Sequence, residues 1–195
     1  MWWRRALAFY ATLPAGASVY FFVFWHWFDY WRARPKRTYL LIGATFAALS
    51  AGLFIARDQL FPESDGPHWS VQVLGWIVIA AVTVLGTVAD RQIGFRIRSF
   101  TPFFEHDAHI TLRTTGAYGV VRHPIYAAGG GFQIGTFLVT GSLSVLASFV
   151  IFMGGAVWFT AQEELRLRTL LDDPSEYDRY RERVPALVPR FWSRR

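Results

Sequence analysis

Two short segments of this 195-residue chain carry residue types and spacings suited to chemistry. The first is Tyr118-Gly119-Val120-Val121-Arg122-His123-Pro124-Ile125-Tyr126. Proline suits the first turn of a helix and drives the residue before it out of the helical region. Pro124 is therefore expected to open a helix, with Arg122 and His123 on its N-terminal rim. Such a helix end presents unpaired N–H groups and a partial charge of about +0.5, which favours a carboxylate or another anion. Arg122 is placed to clamp the same anion with two guanidinium nitrogens. The plainer reading has Arg122 reaching to lipid phosphate while His123 caps the helix. The second segment is Gln162-Glu163-Glu164-Leu165-Arg166-Leu167-Arg168. Two carboxylates at the edge of an apolar helix are costly unless each has a partner. Glu164 can take Arg168 one turn further on. Glu163 meets Leu167 at that spacing and must find its partner elsewhere; a cationic ligand or vicinal ribose hydroxyls would serve. The plainer reading is a solvated helix exit.

Other groupings point away from familiar sites. Gly129-Gly130-Gly131 and Gly135 lie inside an apolar run, without the preceding strand or the GxGxxG order of a nucleotide loop. Gly131-x-x-x-Gly135 fits close helix packing, and the same clearance would also admit a ligand against the helix backbone. Glu105-His106-Asp107-Ala108-His109 has metal-ligand residue types, but nothing nearby completes a ligand set, and no metal is expected. His26, between Trp25 and Trp27, reads as part of an interfacial aromatic belt. The chain has no Cys, which removes disulfides, thiolate catalysis and iron–sulfur clusters. No Ser–His–Asp, kinase or P-loop pattern is present.

The elements that must position these residues are membrane helices. Apolar residues make up 53% of the chain and charged ones only 17%, against roughly 25% in an ordinary soluble domain. Charge-free runs cover Ala6–His26, Tyr39–Ala56, Val71–Ala89 and Pro124–Gln162. The first three have about the ~17–25 residues a helix needs to cross a bilayer. The last is too long for one crossing, and Thr140-Gly141-Ser142 is its only turn signal. It reads as a hairpin with arms Ile125–Val139 and Leu143–Ala161. The expected fold is thus all-α, a polytopic membrane protein with about five transmembrane helices and a cytoplasmic C-terminal helix. The N-terminus imitates a signal peptide, yet cleavage after Ala17 would leave an apolar stub, so a retained first span kinked at Pro14 is expected.

Charge gives the orientation. Arg32, Arg34, Lys36 and Arg37 follow the first span; Arg91, Arg96, Arg98, Arg113 and Arg122 follow the third; eight arginines lie from Arg166 to the end. The second loop instead sets Arg57 against Asp58, Glu63 and Asp65. The positive-inside rule puts the first and third loops and the tail in the cytoplasm and the N-terminus outside, against the pull of Arg4 and Arg5. The net charge of +6 is therefore topology and attraction to anionic lipid headgroups, and no nucleic-acid partner is expected. The long segment Asp90–His123 and the tail from Glu163 flank the hairpin, which is where a site would be assembled. The chain divides into residues 1–89, three N-terminal spans, and residues 90–195, a catalytic part.

Taken in order, Thr115-Gly116-Ala117-Tyr118, Arg122-His123-Pro124 with Tyr126, a hairpin, Glu163-Glu164, and Tyr177 and Tyr180 ahead of Val184-Pro185 and Pro189 carry a likeness. They resemble the isoprenylcysteine carboxyl methyltransferase and phospholipid methyltransferase group of integral-membrane enzymes. The likeness spans His109 to Trp192, and the first three spans match only in crossing the membrane. It implies a pocket for S-adenosylmethionine at the cytoplasmic face of a cell membrane, a bacterial inner membrane. Tyr118, Arg122, His123, Pro124 and Tyr126 would line one side, Glu163 and Glu164 the other, with Tyr177 and Tyr180 closing the tail helix over it. Arg122 and Glu163 are the expected catalytic residues. Two departures are Ala128, where many members have Gly, and Asp172-Asp173-Pro174-Ser175 in place of the usual small-residue turn.

Methyl transfer from a sulfonium relies chiefly on positioning. A carboxylate acceptor needs no general base, whereas an amine must lose a proton, to Glu163 or His123. A prenylcysteine-like carboxylate, a lipid headgroup amine and a thiol all stay open, with membrane lipids as partners. The rival enzyme reading is a reductase of the steroid 5-alpha-reductase type, which has an H-P-x-Y-like element but uses a nicotinamide cofactor; the Glu163-Glu164 pair argues for the methyl donor. A small transporter or scaffold would carry charged or broken-helix features at mid-bilayer, and the spans have none beyond Pro14.

Overall fold

The computed structural model describes residues 2–62, 65–98 and 111–189. Its elements are α1 (Trp2–Thr12), α2 (Ala15–His26), α3 (Phe28–Arg32), α4 (Pro35–Ile55), α5 (Arg57–Leu60), α6 (Trp69–Arg98), α7 (Ala117–Val120), α8 (Pro124–Thr140), α9 (Leu143–Thr169) and α10 (Pro174–Arg183), with no strand among the described residues. Among the described residues, four stretches are long and apolar enough to cross a bilayer: Trp2–His26, Pro35–Ile55, Trp69–Gly94 and Leu143–Thr169. The chain is an all-α integral membrane protein. The remaining crossing expected from sequence, α8, has 17 residues, the lower edge of the spanning range. It is enclosed by α1, α6 and α9.

Sequence explains how α8 packs. A Cβ at Gly75 of α6 would stand 2.7 Å from the Gly135 carbonyl oxygen, and one at Gly86 would stand 3.1 Å from Ala128. Gly131 meets Val82 on the same side, whereas Gly129 and Gly130 turn to Phe152 and Met153 of α9. Successive helical positions point about 100° apart, so a run of glycines thins two faces of one helix and lets α6 and α9 approach from both. Close packing is thus the role of Gly131 and Gly135.

The first span breaks at Leu13–Pro14, as the proline requires. The break exposes the carbonyls of Ala11 and Thr12 where no water is available. Gln133 Nε2 of α8 donates to the Ala11 oxygen (3.0 Å) and to Ser148 Oγ (2.8 Å), and Ser148 Oγ of α9 donates to the Thr12 oxygen (3.0 Å). The hairpin therefore holds the kink and fixes the course of α2. At the same end as the α8–α9 turn, Arg4 donates to the Asp65 carbonyl and to Gln72 Oε1 (3.0 Å), and Arg5 pairs with Asp58. Both arginines that run against the charge rule are thereby bound to the loop beside them.

Two boundaries differ from the sequence reading. The third span does not stop at Ala89: α6 continues past Asp90 to Arg98, bending at Gly94 (φ 70°, ψ 170°), a conformation that favours glycine. The helix expected at the start of the tail is continuous with the second hairpin arm, which runs from Leu143 to Thr169 without a break at Ala161. The acidic and histidine grouping Glu105–His109 lies outside the described residues.

Candidate active site

Pro124 stands at the first turn of α8, and His123 before it is non-helical (φ −123°, ψ 65°), the conformation its proline neighbour enforces. The tail pairs with this strip of backbone: Arg122 N–H donates to Pro185 O (2.8 Å) and His123 N–H to Ala186 O (3.0 Å). Tyr180 O–H donates to the Tyr118 carbonyl (2.6 Å). Leu171, Tyr177, Tyr180 and Val184 form a buried cluster with Leu112 and Leu167 against them. On the other side of α7, Gln92 of α6 accepts from Ala117 N–H (3.0 Å) and donates to Thr115 O (3.2 Å), with Gly116 at φ 61° passing directly over it. Tyr118, Arg122, His123 and the tail are thus tied to α6 and to one another.

The two carboxylates at the end of α9 have different surroundings. Glu164, 8% exposed, accepts from Arg122 Nε and Nη2 (2.9 Å each) and from His123 Nε2 (2.9 Å), with Arg181 Nε 3.7 Å away. A carboxylate can only accept, so His123 Nε2 is the donor in this contact. Arg122 also donates to the carbonyls of Arg181 (3.2 Å) and Val184. The acidic group its guanidinium holds is the protein's own Glu164. The Glu164–Arg168 pair expected from helical spacing does not form: Arg168 pairs with Asp178 of α10 (2.8 Å), because the tail brings a closer carboxylate to it.

Glu163 faces the other way. Its Oε2 lies 3.5 Å from His123 Nδ1 and takes no hydrogen bond, and it has Tyr126 beside it. It opens on a cavity of about 420 Å³, within the usual range for small-molecule sites. Tyr118, Arg122, His123, Pro124, Tyr126, Tyr177 and Tyr180 also line this space, and Glu164 does not. The first turn of α8 contributes Pro124, Ile125 and Tyr126, so the electropositive end of that helix opens here. Burial and the nearby Glu163 carboxylate push the Tyr118 phenol well above its ordinary range. Burial does the same for Tyr177 and takes Tyr180 up to about 12. All three are neutral hydrogen-bonding groups at physiological pH.

The far wall was not legible from the motifs. Ala17, Tyr20 and Phe21 of α2 and Tyr39, Ile42 and Phe46 of α4 form this wall, and Ile93, Thr111, Leu112, Arg113 and Leu167 complete the cavity. Phe21 anchors this wall by stacking on Phe159 of α9 (4.2 Å) and meeting Tyr126 edge-on (5.6 Å). The available signal was Tyr20, a phenol within an apolar span, since a buried hydroxyl needs a partner. The cavity therefore has a polar end, made by the α8 start, the α9 end and the tail, and an apolar side made by membrane helices.

A family model, phospholipid methyltransferase, matches residues 71–171. No curated protein and no solved structure matches the chain. The matched stretch holds nearly all of α6 and the whole of α7, α8 and α9, with Glu163 and Glu164. It leaves out α2, α4 and the tail helix.

Proposed function

The chain belongs to the phospholipid methyltransferase family and is a membrane methyltransferase acting on a lipid-like substrate; from that premise we propose that it uses S-adenosylmethionine to methylate a lipid headgroup amine at the cytoplasmic membrane face. The cavity carries this reading: one carboxylate oxygen, Glu163 Oε2, is buried without a hydrogen bond at its polar end, and apolar helix faces complete it. S-adenosylmethionine, when bound, supplies an electrophilic methyl group on a positively charged sulfur. Glu163 and the faces of Tyr118, Tyr126 and Tyr177 suit a positively charged group. The unpaired N–H groups at the start of α8 suit a carboxylate. The Arg122–Glu164 pair, closed on itself, holds α9, the α8 start and the tail together, and the tail keeps water from the polar end.

The choice of an amine acceptor rests on Glu163. Arg122 gives its donors to Glu164 and to tail carbonyls, and Arg113, which also lines the cavity, would meet the phosphate of a lipid headgroup. An amine must lose a proton before it attacks, and Glu163 has an oxygen available to take it. The side of the membrane follows from charge. The cavity end carries the loop with Arg32, Arg34, Lys36 and Arg37 and the arginine-rich tail, while the opposite end sets Arg57 beside Asp58 and Asp65. Purified protein should transfer radiolabel from S-adenosylmethionine to dioleoylphosphatidylethanolamine vesicles. Glu163→Gln should slow transfer about a hundredfold or more. Transfer at the normal rate by that variant would remove Glu163 from the chemistry.

A further inference from the structure

Two polar atoms among the described side chains of the cavity wall are buried without a hydrogen-bond partner: Glu163 Oε2 and the hydroxyl of Tyr20. The reading above gives Glu163 a cation and a proton to handle, and leaves Tyr20 without a role. Tyr20 is 4% exposed and lies within the first span, toward its His26 end. Its ring stacks on Phe24 (5.5 Å) and packs against Phe21 (5.9 Å), so packing alone fixes its direction. Its hydroxyl has Tyr39 of α4 and Tyr126 of α8 as electrostatic neighbours, and both line the same cavity. A hydroxyl in hydrocarbon surroundings normally finds a partner, since water cannot reach it there.

The chemistry of the wall narrows what that partner is. Tyr20 shares the α2 and α4 side of the cavity with Ala17, Phe21, Tyr39, Ile42 and Phe46, which carry no charge; the cations of the wall, Arg113 and Arg122, stand on other segments. A phosphate oxygen would bring uncompensated charge to this side, whereas an ester carbonyl is an uncharged acceptor at the junction between a lipid's headgroup and its chains. We propose that Tyr20 is a specificity-determining residue that donates a hydrogen bond to an ester carbonyl of a glycerophospholipid acceptor, whose chain lies along Ala17, Ile42 and Phe46. This rests on the methyltransferase reading for the identity of the occupant as acceptor. It goes beyond that reading because α2 lies outside residues 71–171, the part matched by the family. Recognition of the lipid backbone is then separate from the site for the methyl donor.

The test compares dioleoylphosphatidylethanolamine with its diether analogue, which keeps headgroup and chains but lacks both carbonyls. Each is titrated into detergent-solubilised wild type and Tyr20→Phe, with melting temperature as readout. Wild type should bind the diester about five- to tenfold more tightly than the diether, the value of one neutral hydrogen bond. Tyr20→Phe should bind both alike, at the diether's affinity, and should melt without ligand no lower than wild type, since the hydroxyl it loses had no partner. Where turnover runs, KM for the diester should rise by the same factor with kcat within twofold. Equal binding of the two lipids by wild type, a preference that survives in Tyr20→Phe, or a ligand-free variant that melts several degrees lower would overturn the assignment. Stabilisation by S-adenosylhomocysteine is measured in parallel and should be the same in both proteins. Its absence with the ester preference intact would count against the methyl-donor reading and leave Tyr20 as a lipid-recognition residue.

Discussion

Replacing Arg122 with Ala should open the tail without unfolding the bundle. The guanidinium and the Glu164 carboxylate are 9% and 10% exposed, so this is a buried pair and not a screened surface contact. Removing one member of such a pair costs about 3–5 kcal/mol, chiefly because the other charge is left buried. His123 Nε2 still donates to Glu164 in the variant, which puts the cost near the lower bound, about 3 kcal/mol. Arg122 also ends on the carbonyls of Arg181 and Val184, both in or beside α10, so the loss falls on the docking of the tail. The interface of α6 with α8 and the Gln133–Ser148 contacts at the Pro14 kink lie elsewhere and keep their partners. About 3 kcal/mol corresponds to roughly a hundredfold increase in the opened tail population. Hydrogen exchange in detergent micelles, read on peptides covering residues 174–184, measures it directly. Arg122→Ala should exchange there about two decades faster, with protection in α8 and α9 unchanged above Glu163. Adding Glu164→Ala should recover part of the loss, because the orphaned charge is gone. Unchanged exchange in the tail of Arg122→Ala would refute the view that this pair latches it.

Two further outcomes test the packing and the phenols. Gly75→Ala should lower stability by about 1–3 kcal/mol, since the new methyl meets the Gly135 backbone, while Gly43→Ala, with nothing within 4 Å, should not; thermal melts of the two variants compare them. Tyr118, Tyr177 and Tyr180 titrate higher when folded than the ordinary phenol value of about 10. Their contribution to stability is therefore complete below pH of about 10 and falls away as pH rises above it, where the unfolded phenols ionise first. Melting between pH 8 and 11.5 should show a decline beginning near 10, and Tyr180→Phe should make it shallower; a slope identical in the variant would remove Tyr180 from that effect.

Much of the fold was legible because a bilayer imposes length and polarity on each crossing. The charge-free runs marked the spans, Pro14 marked the kink, and Thr140-Gly141-Ser142 marked the hairpin turn. Runs of apolar residues say less about where a helix ends, which is why α6 passes Asp90 and bends only at Gly94. The residues that line the polar end of the cavity were legible in sequence, but their pairings were not. Pro124 and the Glu163-Glu164 dipeptide declare their helix ends locally, but which carboxylate meets Arg122 depends on how α9 rotates against α8. Helical spacing offered Arg168 to Glu164; the tail supplied Asp178 to Arg168 and left Glu164 to Arg122 and His123. The α2 and α4 wall carries no charged motif, and only the assembled helices bring Tyr20 and Tyr39 to the cavity.

The identity of the small-molecule donor is the point on which the account turns. Detergent-solubilised protein should be melted alone, with S-adenosylhomocysteine, and with NADPH. A ligand at a hundredfold excess over its Kd adds about 2.7 kcal/mol of stability, a rise of several degrees. That rise is expected with S-adenosylhomocysteine, and no response to NADPH. Stabilisation by NADPH with none from S-adenosylhomocysteine would contradict it.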